Sequence, residues 1–233
     1  MFSKMTVSAV VLALILGVNS TEGVAKGPSG PTQIKSCGTL SEPGSYVVVQ
    51  NLTATEDCLV IAADFVTIDL GGFTLTGNGT SGEGITDQLA GHVGVVVRNG
   101  AVTQFGFGVR IANGSRHTIE GVSAVDNNAL GMSIGTNSIV RGNTVSGNGT
   151  IGISVDTGSV VTGNVVSDNL DDGIAVESGS TISGNTSFNN TANGFDVVCP
   201  SNVIGNTAVN NTGTNLLVDV GAGVCNLVDN LAP

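Results

Sequence analysis

From residue 119 onward, apolar and polar positions alternate in short bursts that return at a fixed interval. Ile153 and Val155 flank Ser154, Ile174 and Val176 flank Ala175, and Phe195 and Val197 flank Asp196. Met132 and Ile134 begin the same two columns, and Leu216 and Val218 end them. A period of two predicts a strand with one buried face. A further apolar column, Ile119, Val140, Val161, Ile182 and Val203, advances by 21 residues each time. Between the bursts, polar and glycine columns keep the same interval. They are Gly121, Gly142, Gly163, Gly184 and Gly205; then Asn143, Asn164, Asn185 and Asn206; then Asn127, Asn148, Asn169, Asn190 and Asn211; then Gly131, Gly152, Gly173 and Gly194, with Asn215 in the last place.

A sustained period of this length predicts a repeat architecture. Each unit reads as two or three short strands joined by tight corners. Equivalent residues of successive coils then pair in parallel about 4.8 Å apart. The fold expected is all-β, a parallel β-helix. Its aliphatic columns supply most of the stability, at roughly 1.5–3 kcal/mol per large side chain. Asn and Gly suit corners because both tolerate left-handed backbone. The Asn127, Asn148, Asn169, Asn190, Asn211 column is expected to form a ladder of amides along the axis.

The earlier chain follows the plan less regularly. "FVTIDLGGFTLTG", from Phe65, and "GVVVRNGAVTQFGFGVRI", from Gly94, read as coils, with a Gly-rich insertion at 78–93 bulging from a corner. The division expected is 1–25 signal peptide, 26–64 N-terminal cap, 65–222 coils and 223–233 C-terminal cap. The signal peptide rests on Lys4, the apolar run Val7 to Val18, and small residues suited to cleavage after Ser20 or Ala25. It predicts export, to an extracellular or periplasmic location. Caps are needed because open strand edges aggregate.

Composition narrows the partners. The 233-residue chain is 40 % hydrophobic, enough for a sizeable core, yet only 11 % charged, with a net charge of -11. Such a chain is not built for nucleic acid or for an anionic membrane surface, and no second apolar stretch is long enough to span a bilayer. Four cysteines fit two disulfides in an exported chain. Three pairings exist. Cys37 lies near Cys58 and Cys199 near Cys225, which makes those two bridges the expected ones. No C-x-x-C pair is present to favour zinc.

"FVTIDLGGFTLTG", "VRNGAVTQFGFGV" and the repeats "GNTVSGN", "GNVVSDN", "GNTSFNN" and "GNTAVNN" resemble the right-handed parallel β-helix proteins of the pectin-lyase-like superfamily. The likeness runs from about Gly44 to Asn230. It implies the hand of the coil. It does not imply one activity, because that superfamily contains polysaccharide lyases, hydrolases, epimerases, tailspikes and adhesins.

"NLDDGIAVESG" is similar to the stretch of polygalacturonase-like hydrolases that carries paired catalytic aspartates. The resemblance would make Asp171 and Asp172 the acids, one protonating the leaving oxygen while another carboxylate activates water. Asp156 and Glu177 share a column in adjacent coils and extend the acidic group. The Gly-His-Gly turn and the Arg-x-Lys pair of those hydrolases are missing; the only histidines are His92 and His117, and no lysine follows Lys35. On these residues Asp171 and Asp172 read first as a polar corner. Calcium is a weaker option at the same four carboxylates, since hard cations take such ligands, and the chain is expected to work without a cofactor. Arg98, Arg110, Arg116 and His117 could gather as a small anion site, or stand as solvated charges. The outward column Ser123, Thr144, Val165, Thr186 and Thr207 is flat and hydroxyl-rich, which β-propensity explains. The function expected is a secreted, non-catalytic protein that binds glycan or another extracellular partner along a coil face. The alternative is a polysaccharide hydrolase or lyase using the exterior acids.

Overall fold

The computed structural model describes residues 30–88, 90–220 and 223–233. The expected signal peptide lies outside them. The described chain is a parallel β-solenoid of short strands with no helix. Each regular coil carries three strands. Ile139–Arg141 lies on the first face, Thr144–Ser146 on the second, and Ile153–Val155 on the third. Pairing is parallel and strictly in register: Val140 pairs with Val161, Val145 with Val166, and Ile153 with Ile174, each 21 positions on.

The first two faces belong to one 16-stranded sheet. They are joined because Val96–Thr103 and Thr118–Val125 run through the intervening corner unbroken. The third face is a separate nine-stranded sheet. Coil strands begin earlier than residue 65: Thr32–Ile34, Gly38–Leu40 and Gly44–Val48 already pair in the same order. Part of the segment 78–93 is also strand. Glu83–Thr86 is a strand of the third face, lying between Leu59–Ile61 and Phe107–Ser115. Extra residues fall at the corners on both sides of that strand, since Leu52 pairs with Leu75, Leu59 with Ile85 and Thr67 with Val96. The two disulfides join Cys37 to Cys58 and Cys199 to Cys225.

The interior is filled by the aliphatic columns. Ile119, Val140, Val161, Ile182 and Val203 are fully buried, as are Met132, Ile153 and Ile174, with Phe195 completing that column. Corners are held by side-chain ladders. Asn148 Nδ2 donates to Asn169 Oδ1 at 2.9 Å, and Asn169 Nδ2 donates to Asn190 Oδ1 at 2.9 Å. Asn143, Asn164, Asn185 and Asn206 make a second ladder at the other side of the second face. Each amide oxygen also accepts the backbone N–H of the asparagine one coil before it.

A third ladder was not anticipated. Ser138 Oγ accepts the His117 backbone N–H at 3.0 Å, and Ser159, Ser180 and Ser201 repeat the contact. Its signal was legible, since the four serines recur at the same 21-residue interval. Short polar side chains thus satisfy inward-facing backbone donors at all three corners, as buried polar groups require.

Candidate functional site

The third face has one outward position at the centre of each strand. Register stacks Arg110, Ser133, Ser154, Ala175, Asp196 and Leu217 in a single file. Two positions further along the chain, Asp156 and Glu177 occupy equivalent places in adjacent coils; their backbone N–H groups donate to Ile134 O and Val155 O, both at 3.0 Å. Ser154 and Ala175 are small, so the surface between the acids sinks into a depression of about 100 Å³. Ser154, Ala175, Asp156, Glu177 and Asp196 line it, with Val198 at one side.

The electrostatics are those of crowded carboxylates. Partial burial, and then the charge of Glu177, holds the Asp156 carboxyl above the ordinary aspartate range. Asp196 is raised too, first by burial and then by Asp172, Asp219, Glu177 and Asp171. Like charges and desolvation both disfavour the ionised form. Among the described residues, no three or more His, Cys, Asp or Glu side chains are arranged to hold a metal ion.

Asp171 and Asp172 sit in different surroundings. Asp172 is mostly buried, and its Oδ1 accepts the Asn193 backbone N–H at 2.8 Å. Asn193 Oδ1 accepts from Thr214 N in the next coil, so this position is a short corner ladder of its own. Asp171 is half-buried and contributes charge toward Asp196. The residue that the acid motif did not reveal is Asp196. Its only sequence signal is that a carboxylate replaces the Ser and Ala of its column.

The basic residues do not form an anion site. Arg98 pairs with Asp69 on the first face, and Arg141 pairs with Glu120 there. Arg110 sits on the third face, bonded to Glu83 at 2.6 Å and lying over the Phe107 ring at 4.5 Å. His117 is fully buried. Arg116 is exposed at its own corner. The parallel register separates residues that the linear sequence places close together.

The family model described as "Right handed beta helix region" matches residues 57–213. The chain belongs to the right-handed β-helix family. Among solved structures it is similar to the A-module of the Azotobacter vinelandii mannuronan C-5 epimerase AlgE4, with TM-score 0.62 and 18 % identity over 82 % of this chain and 60 % of that one. It is also similar to the periplasmic alginate epimerase AlgG, as a T265N T268M double mutant, with TM-score 0.58 and 14 % identity over 81 % of this chain and 54 % of that one. The Dettilon tailspike protein gives TM-score 0.52 and 13 % identity over 83 % of this chain and 52 % of that one. This β-helix therefore spans between about half and three-fifths of those chains. A comparison with curated proteins gave no match. At such identities the likeness concerns the fold, and the site must be argued from its own residues.

Proposed function

We propose that this β-helix is an exported glycan-binding protein whose third face holds a neutral, hydroxyl-rich sugar chain. The observation that carries the reading is the depression floored by Ser154 and Ala175 and rimmed by Asp156, Glu177 and Asp196. Carboxylates accept hydrogen bonds from sugar hydroxyls, and charge-assisted bonds are the stronger kind. The same carboxylates repel a uronate polymer, which sets this face apart from one built for an anionic substrate. The names of the structural neighbours, two alginate epimerases and a tailspike, support polysaccharide as the broad ligand class. The two disulfides support an oxidising compartment, extracellular or periplasmic. No helix among the described residues is long and apolar enough to cross a membrane.

Affinity electrophoresis against a neutral galactomannan and against alginate tests the reading. Retardation by the neutral polymer, weakened about tenfold in Glu177→Gln or Asp196→Asn, is expected, since one charge-assisted bond contributes about 1.5–3 kcal/mol. Unchanged retardation in both variants, or a preference for alginate, would refute it. A catalytic reading has one observation in its favour: carboxyls held above their usual range suit a general acid. Release of reducing ends or unsaturated uronates that is lost in Asp196→Asn would establish it instead.

A further inference from the structure

His117 heads the serine ladder of the third corner and takes over its chemistry. Each serine Oγ accepts the backbone N–H of the residue one coil earlier. At the first position of this ladder the acceptor is an imidazole: Val95 N–H donates to His117 Nδ1 at 3.3 Å. That bond requires Nδ1 to be unprotonated, so the ring is neutral with its proton on Nε2. The side chain is fully buried, and Nε2 has no hydrogen-bond partner.

The coil that meets this ring is the widened one. Ser115 N–H donates to His92 O at 3.3 Å, Gly94 N–H donates to Ser115 O at 2.9 Å, and Val93 N–H donates to Asp64 Oδ1 at 2.9 Å. A Cβ added to Gly114 would fall 1.9 Å from His92 O and 2.6 Å from His117 Nε2, so both atoms border the same small space. The titratable groups facing His117 are Asp87, which favours a charged ring, and His92, which opposes one. Asp64 faces His92 at 3.2 Å. Arg116 precedes His117 and is exposed, and the following coil presents Ser138 to the His117 backbone N–H.

We propose that His117 is an acid-sensitive latch: its neutral ring fastens residues 91–95 to the third corner, and protonation releases them. Burial depresses its pKa from 6.5 to about 4. The unfastened state therefore binds the proton first as pH falls. The fastening is complete above about pH 6.5 and is lost progressively down to about pH 4, by about 300-fold in the equilibrium. Asp64 is held below its usual value by the Val93 N–H and by His92, so it stays ionised across that window.

Amide hydrogen exchange of Val93, Gly94 and Val95 between pH 7 and pH 4, expressed as protection factors, tests the latch. Serine is the residue at every other position of the ladder, so His117→Ser keeps the acceptor and removes the titration. Wild type should lose protection by about 100-fold or more. His117→Ser should hold it, and His92→Asn should behave as wild type. Constant protection in wild type, equal loss in wild type and His117→Ser, or a loss abolished by His92→Asn would overturn the proposal. If His117→Ser fails to fold, nitrogen chemical shifts of the wild-type ring decide. They must report an unprotonated Nδ1 at pH 7 that protonates together with the loss of amide protection; a ring protonated at Nδ1 at pH 7 would refute it.

Discussion

At the scale of the residue, the corner asparagines show why a short amide is hard to replace. Asn169 Oδ1 accepts both the backbone N–H and the Nδ2 of Asn148, while its own Nδ2 donates to Asn190. All three asparagines are buried. Asn169→Ala would strand the Asn148 backbone N–H, and each unsatisfied buried donor costs about 1–3 kcal/mol. Equilibrium denaturation should show a loss of about 3 kcal/mol. Asp172→Asn should cost less than about 0.5 kcal/mol, because an amide oxygen can still accept the Asn193 N–H. A large loss of stability in Asp172→Asn would show that the negative charge itself matters at that corner.

At the scale of the element, the coil corner uses glycine for two different reasons. Gly163 has φ of +64° with nothing near its missing Cβ, so the need there is conformational. Gly152 has no such backbone. A Cβ there would lie 2.7 Å from Asn169 Nδ2, 2.7 Å from Gly173 O and 2.5 Å from Val166 Cγ1. The glycine column makes room for the asparagine ladder beside it. Gly163→Asn should therefore cost about 1 kcal/mol or less, since asparagine tolerates the left-handed region. Gly152→Ala should cost about 2–4 kcal/mol through overpacking and a displaced amide. Thermal melts of the two variants should differ by several degrees, and equal melting temperatures would refute this division of roles.

At the scale of the whole molecule, charge is unevenly placed on a body of net charge -11. The first face neutralises itself in a column: Asp69 is beside Arg98 in register, and Glu120 is beside Arg141. The third face is neutralised in its early coils, where Arg110 meets Glu83, but not around Asp196, whose carboxyl is raised by acids from several coils. A raised carboxyl means that the folded state binds the proton more tightly than the unfolded chain does. Stability then falls as pH rises through the usual aspartate range and above it. Asp196→Asn should raise the melting temperature at pH 7 and leave it unchanged at pH 3. Added salt should give wild type much of the same gain by screening. A variant that melts lower than wild type at pH 7 would show that the carboxylate stabilises the face.

The period, the strand alternation, the buried columns and the asparagine corners were all legible in the chain. These are repeated along one chain, and stacking at a fixed interval leaves the same residue type at the same place each time. Closeness along the chain pointed to Cys37–Cys58 and Cys199–Cys225 among the three possible pairings, and the structure has those two bridges. The shared column already set Asp156 beside Glu177, but the other charge groupings appear only once the coils are stacked. Asp172 turns into a corner bond, Asp196 joins Asp156 and Glu177 around one depression, and the arginines separate onto different faces. Such groupings occur once and not in every coil. They depend on side-chain direction across parallel coils, which neighbouring letters of the sequence do not record.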